Sequence, residues 1–167
     1  MIDLKELQKA PHIGFPECSK GVSLGTEPKR YPKEWDETIK ECDKKLIGFL
    51  GAKYGAVKMY YPKDGFLGWH NNANAAAFNL IFTWSEFGEG CFKYIHPVTK
   101  EEIICEDAAG AWTCKAAYFG HYGEQDKLLY HAAETDNWRC TVSYTFSTAQ
   151  ASEEFREMVI ADISSAE

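Results

Sequence analysis

Tyr61-Pro-Lys-Asp-Gly-Phe-Leu-Gly-Trp-His-Asn-Asn-Ala-Asn74 is the stretch on which the reading of this chain turns. A strand over Ala56–Tyr61 runs into a Pro/Asp/Gly turn that ends in Gly68-Trp69. His70 follows, with asparagines at 71, 72 and 74. An imidazole at a strand end, rather than inside a helix, points to the mouth of a barrel. A second histidine, His131, closes the apolar run Leu128-Leu129-Tyr130-His131, and Arg139 opens the strand after it. Two distant histidines and a following arginine suggest one metal and one anion held together. Two residues after His70, where a carboxylate would complete the ligand set, stands Asn72.

Working outward, the elements are easily separated. Before the central stretch, Trp35, Ile39, Cys42, Leu46 and Phe49 recur at helical spacing between Pro32 and Gly51, so a packing helix is expected over 32–50 with these five as its buried stripe. Asp36 and Asp43 fall on its solvated face. After the central stretch the period changes to two. Strands are expected over Phe78–Ser85, Cys91–His96, Glu102–Glu106, Trp112–Phe119, Lys127–Ala132 and Trp138–Ser147. A closing helix over 150–163 buries Phe155, Met158, Val159 and Ile163. Residues 3–10 read as a short helix within an otherwise irregular arm over 1–31. One domain of 167 residues follows, mainly β, with its barrel core over 56–147 and a helix on either side.

Composition narrows the function. An apolar fraction of 45% excludes disorder for the body of the chain. A formal charge of -7 repels phosphate backbones, so no nucleic-acid partner is expected. No apolar run is long enough to span a bilayer, and no export signal stands near Met1. The six cysteines form no Cys-x-x-Cys pair and read as reduced thiols of a cytoplasmic protein.

The residues carry the chemistry further. Neutral imidazole is the commonest protein ligand for mid-row divalent metals. His12, His96 and His121 read as ordinary loop or turn residues. Strict alternation puts Arg139, Thr141, Ser143 and Thr145 on one face of the last strand. An arginine inside a barrel needs a carboxylate, supplied by the protein or by a ligand. Trp69, Trp84, Phe66 and Tyr118 are candidates for the mouth, although most aromatics in a barrel belong to its core.

The order of these residues resembles a known family. A tyrosine nine residues before a histidine, a late histidine, then an arginine followed two residues on by Ser or Thr is similar to the 2-oxoglutarate and iron(II)-dependent oxygenases. The prolyl-4-hydroxylase-type branch is nearest. Tyr61, His70, His131, Arg139 and Thr141 carry the resemblance, which spans about Ala56 to Phe146. It implies a double-stranded β-helix, the cupin-like jelly-roll. It also implies Fe(II) on His70 and His131 with Asn72 as third ligand, and 2-oxoglutarate as cosubstrate. The cosubstrate's distal carboxylate would lie on Arg139, helped by Thr141, Tyr61 and Thr83. The implied reaction is hydroxylation of a small molecule or peptide.

The family's His-x-Asp is replaced by His70-Asn71-Asn72. Asn72 ligates as a neutral donor while the dianionic cosubstrate supplies charge, or Glu134 or Asp136 reaches the metal. Otherwise the chain binds no iron and is a degenerate binding domain. Halogenase-like relatives, which bind halide where the carboxylate is missing, and a cupin-like isomerase are further alternatives.

Overall fold

The computed structural model describes residues 19–25, 30–72 and 75–165. Among the described residues, ten strands and two helices follow one another. They are β1 (Ser19–Lys20), β2 (Val22–Ser23), α1 (Trp35–Leu50), β3 (Tyr54–Tyr61), β4 (Gly65–His70), β5 (Ala77–Ser85), β6 (Gly90–Ile95), β7 (Glu102–Glu106), β8 (Ala111–Phe119), β9 (Tyr130–Thr135), β10 (Arg139–Phe146) and α2 (Glu153–Ser164). Two five-stranded sheets result, ordered β1-β4-β9-β6-β7 and β2-β3-β10-β5-β8, and all pairings between neighbours are antiparallel. From β3 to β6 each strand crosses to the opposite sheet, as do β7 to β8 and β9 to β10. That winding is the jelly-roll expected from the sequence.

The larger sheet is covered on both faces, which is why β5 and β10 are buried along nearly their whole length. Its outer face packs Phe78, Leu80, Tyr144 and Phe146 beneath Leu46, Ile47 and Leu50 of α1 and Phe155, Val159 and Ile163 of α2. Between the sheets, Met59, Tyr61, Leu67 and Ala133 form one apolar cluster, and Ile81, Phe92, Phe119 and Leu129 another.

Some expectations shift. The stretch 65–70, read as the end of a turn, is the strand β4. β9 begins three residues later than expected, because Leu128 and Leu129 belong to the loop that leads into it. The buried stripe of α1 is rotated. Trp35 and Phe49 are 42% and 86% exposed, Cys42 is also exposed, and Met158 on α2 is 53% exposed. In their place α1 turns Asp36 and Asp43 inward, where Asp36 accepts from the Tyr31 hydroxyl at 2.7 Å and Asp43 pairs with Lys58 at 2.8 Å. Partners for the two acids outweigh the apolar periodicity. α1 ends as expected at Gly51, whose φ of 66° favours glycine. The helix expected at 3–10 and His12 lie outside the described residues.

Candidate functional site

The site begins with a β-bulge. β4 pairs with β9 so that Leu67 opposes Ala133 and His70 opposes His131. Three residue steps on β4 therefore match two on β9, and the extra residue falls at Gly68-Trp69. Without the bulge, alternation from Leu67 would send His70 outward; with it, His70 shares the inner face. The two imidazoles become direct cross-strand neighbours, their ring centroids 4.1 Å apart, and each residue is only 6% exposed.

Both rings are oriented by backbone. His70 Nδ1 lies 2.7 Å from the Gly68 carbonyl oxygen and His131 Nδ1 lies 3.2 Å from that of Leu129. A carbonyl only accepts, so Nδ1 carries the proton in each ring, and Nε2 is the nitrogen with the lone pair when the ring is neutral. Burial first, then the neighbouring His70, holds the His131 pKa well below the usual histidine range. Phe119 meets His131 edge-on at 4.7 Å and Phe92 lies 5.6 Å away, supplying that burial. A neutral imidazole is the metal-binding form.

Arg139 lies across the barrel. It opens β10 between Tyr61 of β3 and Ser85 of β5, and it is 1% exposed. Its Nε donates to Asp107 Oδ2 at 2.6 Å, Nη1 to Thr141 Oγ1 at 2.9 Å and Nη2 to Thr83 Oγ1 at 3.3 Å. The guanidinium carbon sits 5.3 Å from the Tyr61 ring centroid. Burial is the main reason the Tyr61 hydroxyl is pushed up to about 12, so it stays neutral. Lys115 Nζ reaches the other oxygen of Asp107 at 3.0 Å.

One cavity connects the two groups. His70, Asn72 and His131 line it on one side, and Tyr61, Arg139 and Thr141 on the other. Its free space is about 80 Å³, several times the roughly 10–15 Å³ that a single water needs. A small ligand can therefore reach both. The expected inner face of β10 holds throughout, with Arg139, Thr141, Ser143 and Thr145 all buried.

Other expectations fail here. Glu134 is exposed, points away from the cavity and pairs with Lys93 at 2.6 Å, and Asp136 lines a separate surface groove. Neither can supply the missing carboxylate, because alternation along β9 turns Glu134 to the face opposite His131. Among the described residues no group of three His, Cys, Asp or Glu side chains is close enough to hold a metal. The donor groups that line this side of the cavity are thus the two imidazoles and Asn72. Trp84, tilted against Trp112 with ring centroids 6.0 Å apart, does not line the cavity, and neither do Phe66, Trp69 and Tyr118. His96 accepts from the backbone of Val98 and Thr99, and His121 from that of Gly123, as turn residues. The five described cysteines are free thiols, and no described helix is long and apolar enough to cross a membrane.

Asp107 and Lys115 were missed by sequence reasoning. The signal was partial: the need of Arg139 for a carboxylate was evident, but nothing local separates Asp107 from the acids of β7 just before it. Lys115 was findable, since alternation along β8 places it on the same inward face as Thr113 and Phe119.

No protein-family model matches the chain, and no curated protein does. Among solved structures, a prolyl-4-hydroxylase from Pseudomonas putida aligns over 86% of this chain and 83% of its own, with 13% identity and a TM-score of 0.42. A predicted oxalate decarboxylase from Thermotoga maritima aligns over 61% of this chain and 72% of its own, with 15% identity and a TM-score of 0.34. The jelly-roll assignment rests on the strand order itself.

Proposed function

We propose that this protein is a 2-oxoglutarate- and iron(II)-dependent oxygenase that hydroxylates a small molecule or peptide. The observation that carries the reading is the convergence of the His70–His131 pair and Arg139 on one cavity. His70 and His131 would hold the metal through Nε2, with Asn72 as a neutral third donor. Arg139 would receive the distal carboxylate of the cosubstrate on its Nη edge, with Thr141 and Thr83 fixing that edge and Tyr61 packing against the guanidinium. Dioxygen would be the oxidant: bound iron would allow one of its oxygen atoms to convert a C–H bond into C–OH while the other oxidises the cosubstrate to succinate and carbon dioxide. The protein's own part is to keep both imidazoles neutral and oriented, to exclude bulk water with Phe92 and Phe119, and to hold the anion's negative charge.

The alternative, a binding domain that kept the barrel and lost the iron, is favoured by the pairing of Arg139 with Asp107. That pair satisfies the arginine without any ligand. Anaerobic reconstitution decides between them. The oxygenase reading expects about one iron(II) per chain and succinate released from 2-oxoglutarate. Absence of iron binding above background leaves the binding-domain reading.

A further inference from the structure

The anion end of the cavity has a charge balance of its own. Arg139 and Lys115 converge on the two oxygens of Asp107, at 2.6 and 3.0 Å. The side chains are 1%, 14% and 1% exposed for Arg139, Lys115 and Asp107. Two cations against one carboxylate leave one positive charge in excess, in surroundings where uncompensated charge is costly. Only Arg139 of the three lines the cavity. Asp107 holds Nε, and Thr141 and Thr83 each take one N–H from a terminal nitrogen. A guanidinium has five N–H donors, so at most two remain for a ligand, both on the Nη groups. Asp107 itself is anchored: its N–H donates to the Gly90 carbonyl at 2.9 Å, and a Cβ at Gly90 would come within 2.9 Å of its Oδ2.

We infer that Asp107 and Lys115, behind Arg139, set this pocket to take a single carboxylate group and to reject groups that carry two charges on one centre, such as sulfate and hydrogen phosphate. One carboxylate brings the cluster to neutrality. A group such as sulfate, which carries both charges itself, overshoots the charge of the cluster by one, whereas glutarate presents only one of its two carboxylates to it. Asp107 is thus a positioning residue: it touches no ligand, fixes which edge of Arg139 faces the cavity, and removes one unit of positive charge. The inference rests on the anion-site half of the function proposed above and is independent of iron.

The test is calorimetric titration of the metal-free protein with glutarate and with sulfate at constant ionic strength. Wild type should bind glutarate at least about tenfold more tightly than sulfate, and Lys115→Met, which cancels the excess charge, should lose about tenfold in glutarate affinity. Asp107→Asn, which raises the excess to two charges, should shift the preference about tenfold toward sulfate; loss of stability alone leaves that ratio unmoved. Should Asp107→Asn not fold, the wild-type ratio and Lys115→Met still decide. Wild type that binds sulfate as well as glutarate, or Lys115→Met with full glutarate affinity, overturns the inference while leaving the anion site standing. No glutarate binding at all overturns the anion site with it.

Discussion

The two ends of the cavity are built on opposite principles. At the histidine end the backbone carbonyls of Gly68 and Leu129 orient two imidazoles, and burial keeps His131 neutral. At the arginine end the groups are ionic, and side chains orient them: Asp107, Thr141 and Thr83. The difference separates folding from binding. The ionic end is closed by partners that belong to the protein, so removing one leaves a buried charge behind. The neutral end leaves nothing charged behind when a ring is removed, so it can be altered with little effect on the fold.

The largest expected effect comes from breaking the ionic end. Arg139→Ala strands Asp107 with Lys115 alone. Breaking a buried pair costs about 3–5 kcal/mol, and the surviving Lys115 contact puts this one near the lower figure. Urea denaturation measures it. A loss under about 1 kcal/mol would mean that the ionic end is no more structural than the neutral one, and the comparison collapses. Where the variant still folds, binding of 2-oxoglutarate should weaken by roughly 2–5 kcal/mol.

His131→Leu is the matching change at the neutral end. It removes a proposed metal ligand but keeps volume and adds no charge. Iron(II) affinity should fall at least about 100-fold, near 2.7 kcal/mol, since losing even a group behind a ligand costs about 10–100-fold. Stability of the metal-free protein should change by less than about 1.5 kcal/mol, as for other volume-conserving core changes. A variant that unfolds, or one that keeps its iron in an anaerobic titration, contradicts the assignment.

The same contrast explains what was legible in the sequence. The barrel was, because alternation is local: the expected strand over Glu102–Glu106 matches β7 at both ends, and most others lie within two residues of theirs. His131 and Arg139 were legible as inward residues for the same reason. His70 was found as a strand-end imidazole, but its strand was not, because the bulge at Gly68-Trp69 breaks the period that reveals strands. Asp107 lies 32 residues from Arg139 in sequence, and only the crossing from β7 to β8 brings them together. The inward turn of α1 escaped for a related reason. Asp36 and Asp43 look solvated until the tertiary fold supplies Tyr31 and Lys58.

A pH titration sharpens the neutral end. Burial lowers the His131 pKa in the folded state below the ordinary histidine value of 6.5. As pH falls through 6.5 the unfolded chain therefore takes up a proton that the folded one refuses. Stability from keeping His131 neutral is present above that value. It is lost between there and the depressed folded pKa, at up to about 1.4 kcal/mol per pH unit. Urea midpoints of metal-free wild type at pH 7.5 and 5.5 should show that loss, and His131→Leu should show correspondingly less of it. Equal pH dependence in the two proteins would show that the ring is not held neutral by burial.

The smallest change tests whether the neutral end was meant to stay neutral. Asn72 is half-buried and lines the cavity with both histidines. Aspartate has nearly its shape and adds one negative charge where a divalent ion would sit. Asn72→Asp should therefore cost little in folding and tighten iron(II) by at least about tenfold, near 1.4 kcal/mol. Turnover then separates the readings. In an active His–Asn–His oxygenase, wild type binds iron and releases succinate, and the added charge alters a site tuned without it. In a degenerate one, wild type is inert and Asn72→Asp recovers iron. If neither protein binds iron in an anaerobic titration, the two imidazoles are a packed pair rather than ligands. The ionic end would then be the whole site, and its carboxylate ligand the whole function.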